Sequence, residues 1–388
     1  MENSRPKRVD IIFLMEGIDP IKVVETTIKK SPDDIILEMI DSGLKGRGGA
    51  GFPTGLKWKF TRNEESYDKY VICNADEGEP GTFKDREILD RVPEKVFAGI
   101  AICGYTIGAR EGLIYLRGEY NFLLPTLNEK LILFNEGLKK IGLDFSIQMR
   151  SGSGAYICGE ESALFESMEG KRGEPRNKPP FPTVAGYLGK PTVINNVETL
   201  VYAFMIARIG SEKFKEMGTK DSRGSKVFSI SGDTPKAGIS ELELGMTVQQ
   251  FVDEFGDGDT KAVQVGGASG GCVPRKMFQE TIIGYEGIPT GGSMMLFNSS
   301  RSMYNVLHDY LEFFTEESCG QCTPCRVGCQ QLLKGIEAIK RGDKSPGYLE
   351  DLKKLAKTMK VAAKCGLGQS VANPFVSIVS NFKEEIIY

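Results

Sequence analysis

Histidine is almost missing from this sequence: His308 is the only one in 388 residues. That nearly removes histidine-ligated zinc chemistry and Ser-His-Asp catalysis, and a lone histidine in a helical stretch reads as structural. Long apolar runs are also missing. No stretch approaches the roughly eighteen apolar residues a membrane span needs, and no export signal is legible. The chain is therefore expected to have no direct membrane span and to be cytoplasmic, with peripheral attachment to a membrane's inner face through partners left open. Charge of either sign is not in excess: 49 Lys and Arg against 52 Asp and Glu give a net charge of −3. Nothing there attracts nucleic acid or an anionic bilayer. Cysteine is sparse, nine residues, too few for a disulfide scaffold.

What is present is distributed in a telling way. The length favours two or three domains. Ser31-Pro32-Asp33-Asp34 has the hydroxyl, proline and acids of a helix start, and Gly43 suits its stop. The glycine-dense run Gly46-Arg47-Gly48-Gly49-Ala50-Gly51-Phe52-Pro53-Thr54-Gly55 comes next. Tyr70-Val71-Ile72-Cys73 and Leu113 to Leu116 read as buried strands. From Lys226 the texture changes to a small α+β module, with strands at Val227–Ile230 and 262–265 and a helix over 247–255. From Met303 the spacing of Val306, Leu307, Tyr310, Leu311 and Phe314 is helical, and three more helices follow. The segment 169–182, with four prolines among its charges, is expected to be an exposed loop.

Two patterns carry chemistry. Cys319-x-x-Cys322-x-x-Cys325, with Cys365 forty residues later, can present three thiolates on one turn and close the fourth corner of an iron–sulfur cubane. A structural zinc site is the bland alternative, although such sites usually come as two separated Cys-x-x-Cys pairs. Cys329 reads as a buried free thiol. The glycine-dense run offers backbone N–H groups, with Arg47 and Lys57 adding charge, as a phosphate cradle would. It satisfies G-x-G-x-x-G by letter, but it follows a helix, so ordinary Rossmann geometry is not supported and a flexible turn stays open. Asp76, Glu77 and Glu79, just past a strand end, and the pair Glu160-Glu161 could accept ribose hydroxyls or adenine amino protons, solvated surface carboxylates being the alternative.

Five motifs in order then carry a resemblance: the glycine run 46–55, Cys73-Asn74-Ala75-Asp76-Glu77, Gly154-Ala155-Tyr156-Ile157-Cys158-Gly159-Glu160-Glu161, Asn195-Asn196-Val197-Glu198-Thr199, and Glu317-Ser318-Cys319-Gly320-Gln321-Cys322-Thr323-Pro324-Cys325-Arg326. From about residue 31 to 370 the chain resembles the NADH-binding flavoprotein subunit of respiratory complex I and its soluble relatives. These include the diaphorase subunits of NAD-linked hydrogenases, electron-bifurcating enzymes and formate dehydrogenases.

The resemblance implies a multidomain α/β chain. A Rossmann-like FMN- and NADH-binding domain, unlike the common Rossmann type in detail, would occupy 1–221, a small β-grasp module 222–300, and a helical bundle carrying one [4Fe–4S] cluster 301–388. FMN would lie against Gly46, Arg47, Gly48, Lys57, Asn74, Asp76, Glu77, Tyr156, Gly159, Glu160, Asn195, Asn196 and Thr199, with Gly49, Gly78 and Ile194 completing the cofactor set. The adenine of NADH would stack among Phe52, Phe60 and Phe181, with Glu161 and Lys178 on the rest and Glu79 as the catalytic candidate. Trp58 is expected to be structural. Hydride would pass from nicotinamide to flavin N5 without a protein acid, base or nucleophile, and single electrons would leave through Cys319, Cys322, Cys325 and Cys365. With no further cysteine set, the next carriers would be separate: a small thioredoxin-like [2Fe–2S] subunit and a larger multi-cluster subunit. The tail Cys365–Gln369 leans toward the soluble hydrogenase and bifurcating branch, the peripheral arm of complex I being the alternative. A zinc-containing scaffold protein is the reading from another class.

Overall fold

The computed structural model describes residues 6–13 and 17–387; residues 1–5, 14–16 and 388, at the outer ends of the first and last expected domains, lie outside them. Four strands, β1 (Tyr70–Ala75), β2 (Glu111–Leu116), β3 (Ser146–Ser151) and β4 (Thr192–Asn196), form a parallel sheet in the order β3-β2-β1-β4. Its faces alternate as strand geometry requires. Val71, Cys73, Ile114, Leu116 and Val193 join one core, while Ile72, Leu113, Tyr115 and Ile194 join another.

The first face is covered by the helices Pro93–Ile107 and Val197–Ile209, buried along nearly their whole length. Neither gives a one-sided apolar stripe, because a helix covered on all sides has none. Their close approach depends on Gly99: a Cβ there would collide with the Leu200 carbonyl. Nearer the amino terminus, Ser31 accepts from the Asp34 N–H and caps the helix Pro32–Asp41, as its sequence predicts, and the chain then turns at Gly43, φ +67°.

Order in the sheet fixes where a ligand can sit. The chain builds outward from β1 to β2 and β3, then returns with β4 on the other side of β1. Connections therefore part company between β1 and β4, and at such a switch point a crevice opens beyond the carboxyl ends of the strands.

A second, mixed sheet has the order β6-β5-β9-β7-β8, built from β5 (Ser225–Gly232), β6 (Gly238–Glu243), β7 (Thr260–Val265), β8 (Gly271–Pro274) and β9 (Ser293–Asn298). β5 and β9 are parallel and the other pairs antiparallel. The helix Val248–Phe255 lies on it, started by a capping box between Thr247 and Gln250. The strands expected from the sequence correspond to β5 and β7; β6 and β8 carry no comparable apolar run, whereas β9 does, in Met294-Met295-Leu296-Phe297, and comes in addition to the strands expected.

The helices Met303–Glu317, Thr323–Lys340, Tyr348–Ala362 and Ala372–Asn381 gather at the carboxyl-terminal end of the chain. Tyr310, Phe314, Leu332 and Phe375 share one continuous core with the second face of the parallel sheet, a core that also takes in Ile157, Leu164 and Phe165 from the segment after β3. The segment 169–182 departs from a simple exposed loop: Pro175 is buried, and the Arg176 guanidinium pairs with Glu166 and Glu169.

Candidate functional site: a cleft and a cysteine cavity

At the switch point lies a cleft of about 630 Å³. Strand ends supply its floor: Asn74 from β1, and Ile194, Asn195 and Asn196 from β4 with Thr199 just beyond. Gly46 and Gly48 of the glycine run form one side. Gly159, Glu160 and Glu161 form another, and Phe52, Phe60, Phe181, Lys57 and Lys178 stand at the mouth. The three phenylalanines are 46%, 47% and 57% exposed, a large apolar cost for a soluble surface unless a flat ligand covers them.

Local hydrogen bonds hold the floor in place. Trp58, fully buried as expected of a structural residue, donates its indole N–H to Asn195 Oδ1 at 3.0 Å. Asn74 donates to the Gly159 carbonyl at 2.8 Å, and Asn196 donates to Asp85 at 2.5 Å. The Arg47 N–H reaches Thr199 Oγ1 at 2.8 Å, pinning the glycine run to the start of the helix after β4. A Cβ at Gly48 would come within 3.2 Å of Asn196 Cβ, so only glycine leaves this approach relaxed.

The charged groups at the mouth form a chain. Lys178 donates to Glu161 at 2.6 Å and to Glu160 at 2.9 Å, and Lys57 stands 3.9 Å from Glu161. Glu160 also caps the helix Glu161–Met168, accepting from the N–H groups of Ser162 and Ala163. Burial works to raise the Glu160 pKa, but the Lys178 charge and the Ser162 hydrogen bond outweigh it and hold the carboxyl below its ordinary value. Burial pulls the Lys57 ammonium down, against the opposing charge of Glu161, while its Nζ donates to the Ile194 carbonyl at 2.9 Å.

Six residues singled out in the sequence stand behind the walls, and one in a different cavity. Arg47 turns its guanidinium away from the cleft into the interior, where Nη2 donates to the Arg223 carbonyl at 2.6 Å and the group lies over the Tyr202 ring. Its side chain is therefore not a wall cation; the backbone of Gly46 and Gly48 takes that position. Glu77 is buried as a cap for the helix Lys84–Arg91, accepting from the N–H groups of Asp85 and Arg86 and from Tyr120, and burial pushes its pKa up to about 7. Burial likewise raises Asp76 to about 7, and its Oδ2 has no hydrogen-bond partner among the described residues. Glu79 accepts from the Tyr156 hydroxyl at 2.7 Å and from the N–H and hydroxyl of Ser269. Gly78 packs against Tyr156, and Gly49 faces the other cavity, described below. Ala50, Gly51, Pro182 and Thr183 also line the cleft without having been named as contacts; the first two belong to the glycine run, and for the other two the adjacency of Phe181 is the signal.

Cys319, Cys322, Cys325 and Cys365 line one small cavity together with Ile157, Ser318 and Leu367. No disulfide joins any cysteine among the described residues. Cys365 comes from the turn after Tyr348–Ala362, and the other three from the approach to Thr323–Lys340 and its first turn. Cys329, one turn further, is fully buried with its Sγ 3.9 Å from that of Cys325, outside the cavity wall. Four unpaired thiols on one cavity suit an iron–sulfur cluster. The cleft suits a flavin mononucleotide: amide side chains along its floor, glycine backbone and a lysine for a phosphate. Tyr156–Gly159, a short 3₁₀ turn, stands between them, since Gly159 faces the cleft and Ile157 faces the cysteines.

Fold and site together define an α/β flavoprotein with a separate four-cysteine iron–sulfur centre. Residues 39–204 match the Nuo51 FMN-binding domain, and 305–388 match the NADH-ubiquinone oxidoreductase-F iron–sulfur binding region. The alpha subunit of the NAD-reducing hydrogenase HoxS of Cupriavidus necator is 44% identical across 99% of this chain, which spans 65% of that subunit's length. A subunit of an NADH-quinone oxidoreductase of Rhizobium meliloti is 39% identical across 92% of the chain and 89% of its own length. A solved structure of an NAD⁺-reducing [NiFe]-hydrogenase in the H₂-reduced state superposes with a TM-score of 0.91 at 40% identity, over 96% of this chain and 65% of that one. The chain belongs to the family of FMN- and [4Fe–4S]-carrying flavoprotein subunits that includes both kinds of relative. Among the described residues no helix is long and apolar enough to cross a membrane.

Proposed function

We propose that this chain exchanges electrons between NAD(H) and partner subunits, as an NADH dehydrogenase or diaphorase component of a larger complex. The observation that carries the reading is the turn Tyr156–Gly159, which walls both the cleft and the cysteine cavity. Bound FMN supplies uptake of a hydride and release of its electrons one at a time. The protein's part is position and charge. Asn74, Asn195 and Asn196 hold the flavin ring edge, and Gly46, Gly48 and Lys57 receive its phosphate. Phe52, Phe60 and Phe181 clasp the adenine, and Glu161 takes the adenosine ribose. Glu79, behind Tyr156, acts through that tyrosine rather than by direct contact. The four cavity cysteines hold the cluster.

The divisions 1–221, 222–300 and 301–388 serve as the flavin and nucleotide, β-grasp and cluster units. The complex is cytoplasmic, and the next carriers are a small thioredoxin-like [2Fe–2S] subunit and a larger multi-cluster one. The higher identity to the hydrogenase relative favours the soluble hydrogenase or bifurcating branch over the peripheral arm of complex I. Anaerobically purified protein should carry about one FMN and four irons per chain and bleach when NADH is added. Colourless, zinc-loaded protein indifferent to NADH would replace this reading with the scaffold one.

A further inference from the structure

A second cavity, of about 690 Å³, lies between the turns of the mixed sheet and the carboxyl-terminal helices. Glycines from three separate segments line it, so a ligand can approach the main chain closely. Lys357 and Lys360 face it from one side of the helix Tyr348–Ala362, with Ser269, Thr290 and Asn373 opposite. None of the described residues lining it is acidic. Lys360 reaches only Asn373 Oδ1, at 3.4 Å, and Lys357 has no carboxylate within ion-pair distance among the described residues. Elsewhere on the same helix the pattern differs: Lys353 pairs with Glu350 and Lys354 with Asp351. The two lysines at the cavity are thus the ones left with charge to offer, and they stand together over polar, glycine-lined walls.

We propose that this cavity binds a phosphate-bearing anion, either free phosphate or the phosphate of a nucleotide, held by Lys357 and Lys360. Ammonium groups make charge-assisted hydrogen bonds to phosphate oxygens, and the Thr290 hydroxyl, which accepts from the Gly292 N–H, keeps its own hydrogen to donate alongside them, while the Ser269 hydroxyl stays committed to Glu79. The volume is as large as that of the first cleft, enough for a nucleotide as well as a bare anion.

The position gives such a ligand a mechanical link to the first cleft. Gly49 faces the second cavity while Gly48 and Ala50 face the first, so one glycine run separates the two. Asn373 donates to the Ser269 carbonyl at 2.9 Å, Ser269 holds Glu79, and Glu79 holds the Tyr156 hydroxyl. A ligand touching Asn373 and Ser269 therefore bears on Tyr156 through consecutive hydrogen bonds.

The test is calorimetric titration of the FMN-loaded, cluster-intact chain, kept anaerobic and saturated with NAD⁺, using inorganic phosphate, pyrophosphate and ADP in separate runs. All three are expected to bind, and Lys357→Ala/Lys360→Ala should weaken binding about tenfold or more while iron, flavin and NADH bleaching stay as in the parent. Lys357→Arg/Lys360→Arg should restore it. Equal affinity for phosphate and ADP would mark a free-anion site, and tighter ADP a nucleotide site. No binding to the parent protein, or binding untouched by the double alanine variant, overturns the proposal. The assignment does not rest on the redox reading: bleaching by NADH is scored separately, so either can fail alone.

Discussion

The backbone N–H of Tyr156 donates to Oε2 of Glu317 at 3.0 Å, tying the wall of the flavin cleft to the residue two positions before Cys319. The Tyr156 ring also meets Phe313 edge-on at 5.0 Å. Loss of this carboxylate should loosen both sites together. Glu317→Ala is expected to cost about 1–3 kcal/mol of stability and to lower retention of both flavin and iron, whereas Glu317→Gln keeps an acceptor and most of both. Urea unfolding with flavin and iron analysis of the two variants checks this; flavin loss without iron loss would refute the coupling.

With Glu161 proposed at the adenosine ribose, its carboxylate should repel a 2′-phosphate there, and Lys178 and Lys57 already draw on its charge. Glu161→Gln should raise kcat/KM for NADPH relative to NADH by about tenfold, because repulsion disappears and two lysines are freed at once. A ratio unchanged from the parent would place the ribose elsewhere.

Cysteine variants separate ligand from bystander. Cys365→Ala should lower the iron content and keep the flavin. Cys329→Ala should keep the iron and cost about 1 kcal/mol or more for the emptied space, since the residue is fully buried. Iron analysis, electron paramagnetic resonance after reduction and thermal unfolding read the difference. Iron loss from Cys329→Ala would make that thiol a ligand.

Away from the site, burial raises the Glu241 pKa to about 7 even though Ile12, Ser225 and Tyr202 donate to its carboxylate. A carboxyl whose folded pKa lies above its unfolded value binds more protons when folded. Its contribution is complete below the unfolded value of 4.5 and is lost as pH rises through about 7. Glu241→Gln should flatten that part of the stability profile, an effect of a few kcal/mol at most between about pH 4.5 and 7. Urea midpoints at several pH values give the slope; an unchanged slope would mean the group ionises normally in the fold.

Local chemistry was readable, and long-range closure was not. The spacing of Cys319, Cys322 and Cys325 places three thiols on one turn whatever the rest does, and the cap at Ser31 depends only on Asp34. Strand β1 announces itself by its apolar run. By contrast, Pro93–Ile107 and Val197–Ile209 are covered on every side, so no periodic stripe marks them. Arg47 looks like a phosphate cation in sequence, yet Arg223 and Tyr202, far along the chain, draw it inward. Glu77 likewise becomes a helix cap because Asp85 and Arg86 present two N–H groups to it. The second cavity has no motif at all, being assembled from segments that meet only in the fold.

The return of β4 to the far side of β1 has a consequence for how such a protein can change over generations. Asn74, Ile194, Asn195 and Asn196 belong to strand ends locked by the sheet, whereas Gly159, Glu160, Glu161, Lys178 and Phe181 ride on the long excursion between β3 and β4. Its first part is fixed by Ile157, Leu164 and Phe165, buried in the core shared with the sheet, but the exposed stretch 177–181 can be lengthened, shortened or recharged without disturbing the register of any strand. The bed for the cofactor is conservative by construction and the canopy over it is free to drift, so a descendant could trade its nucleotide while keeping its flavin.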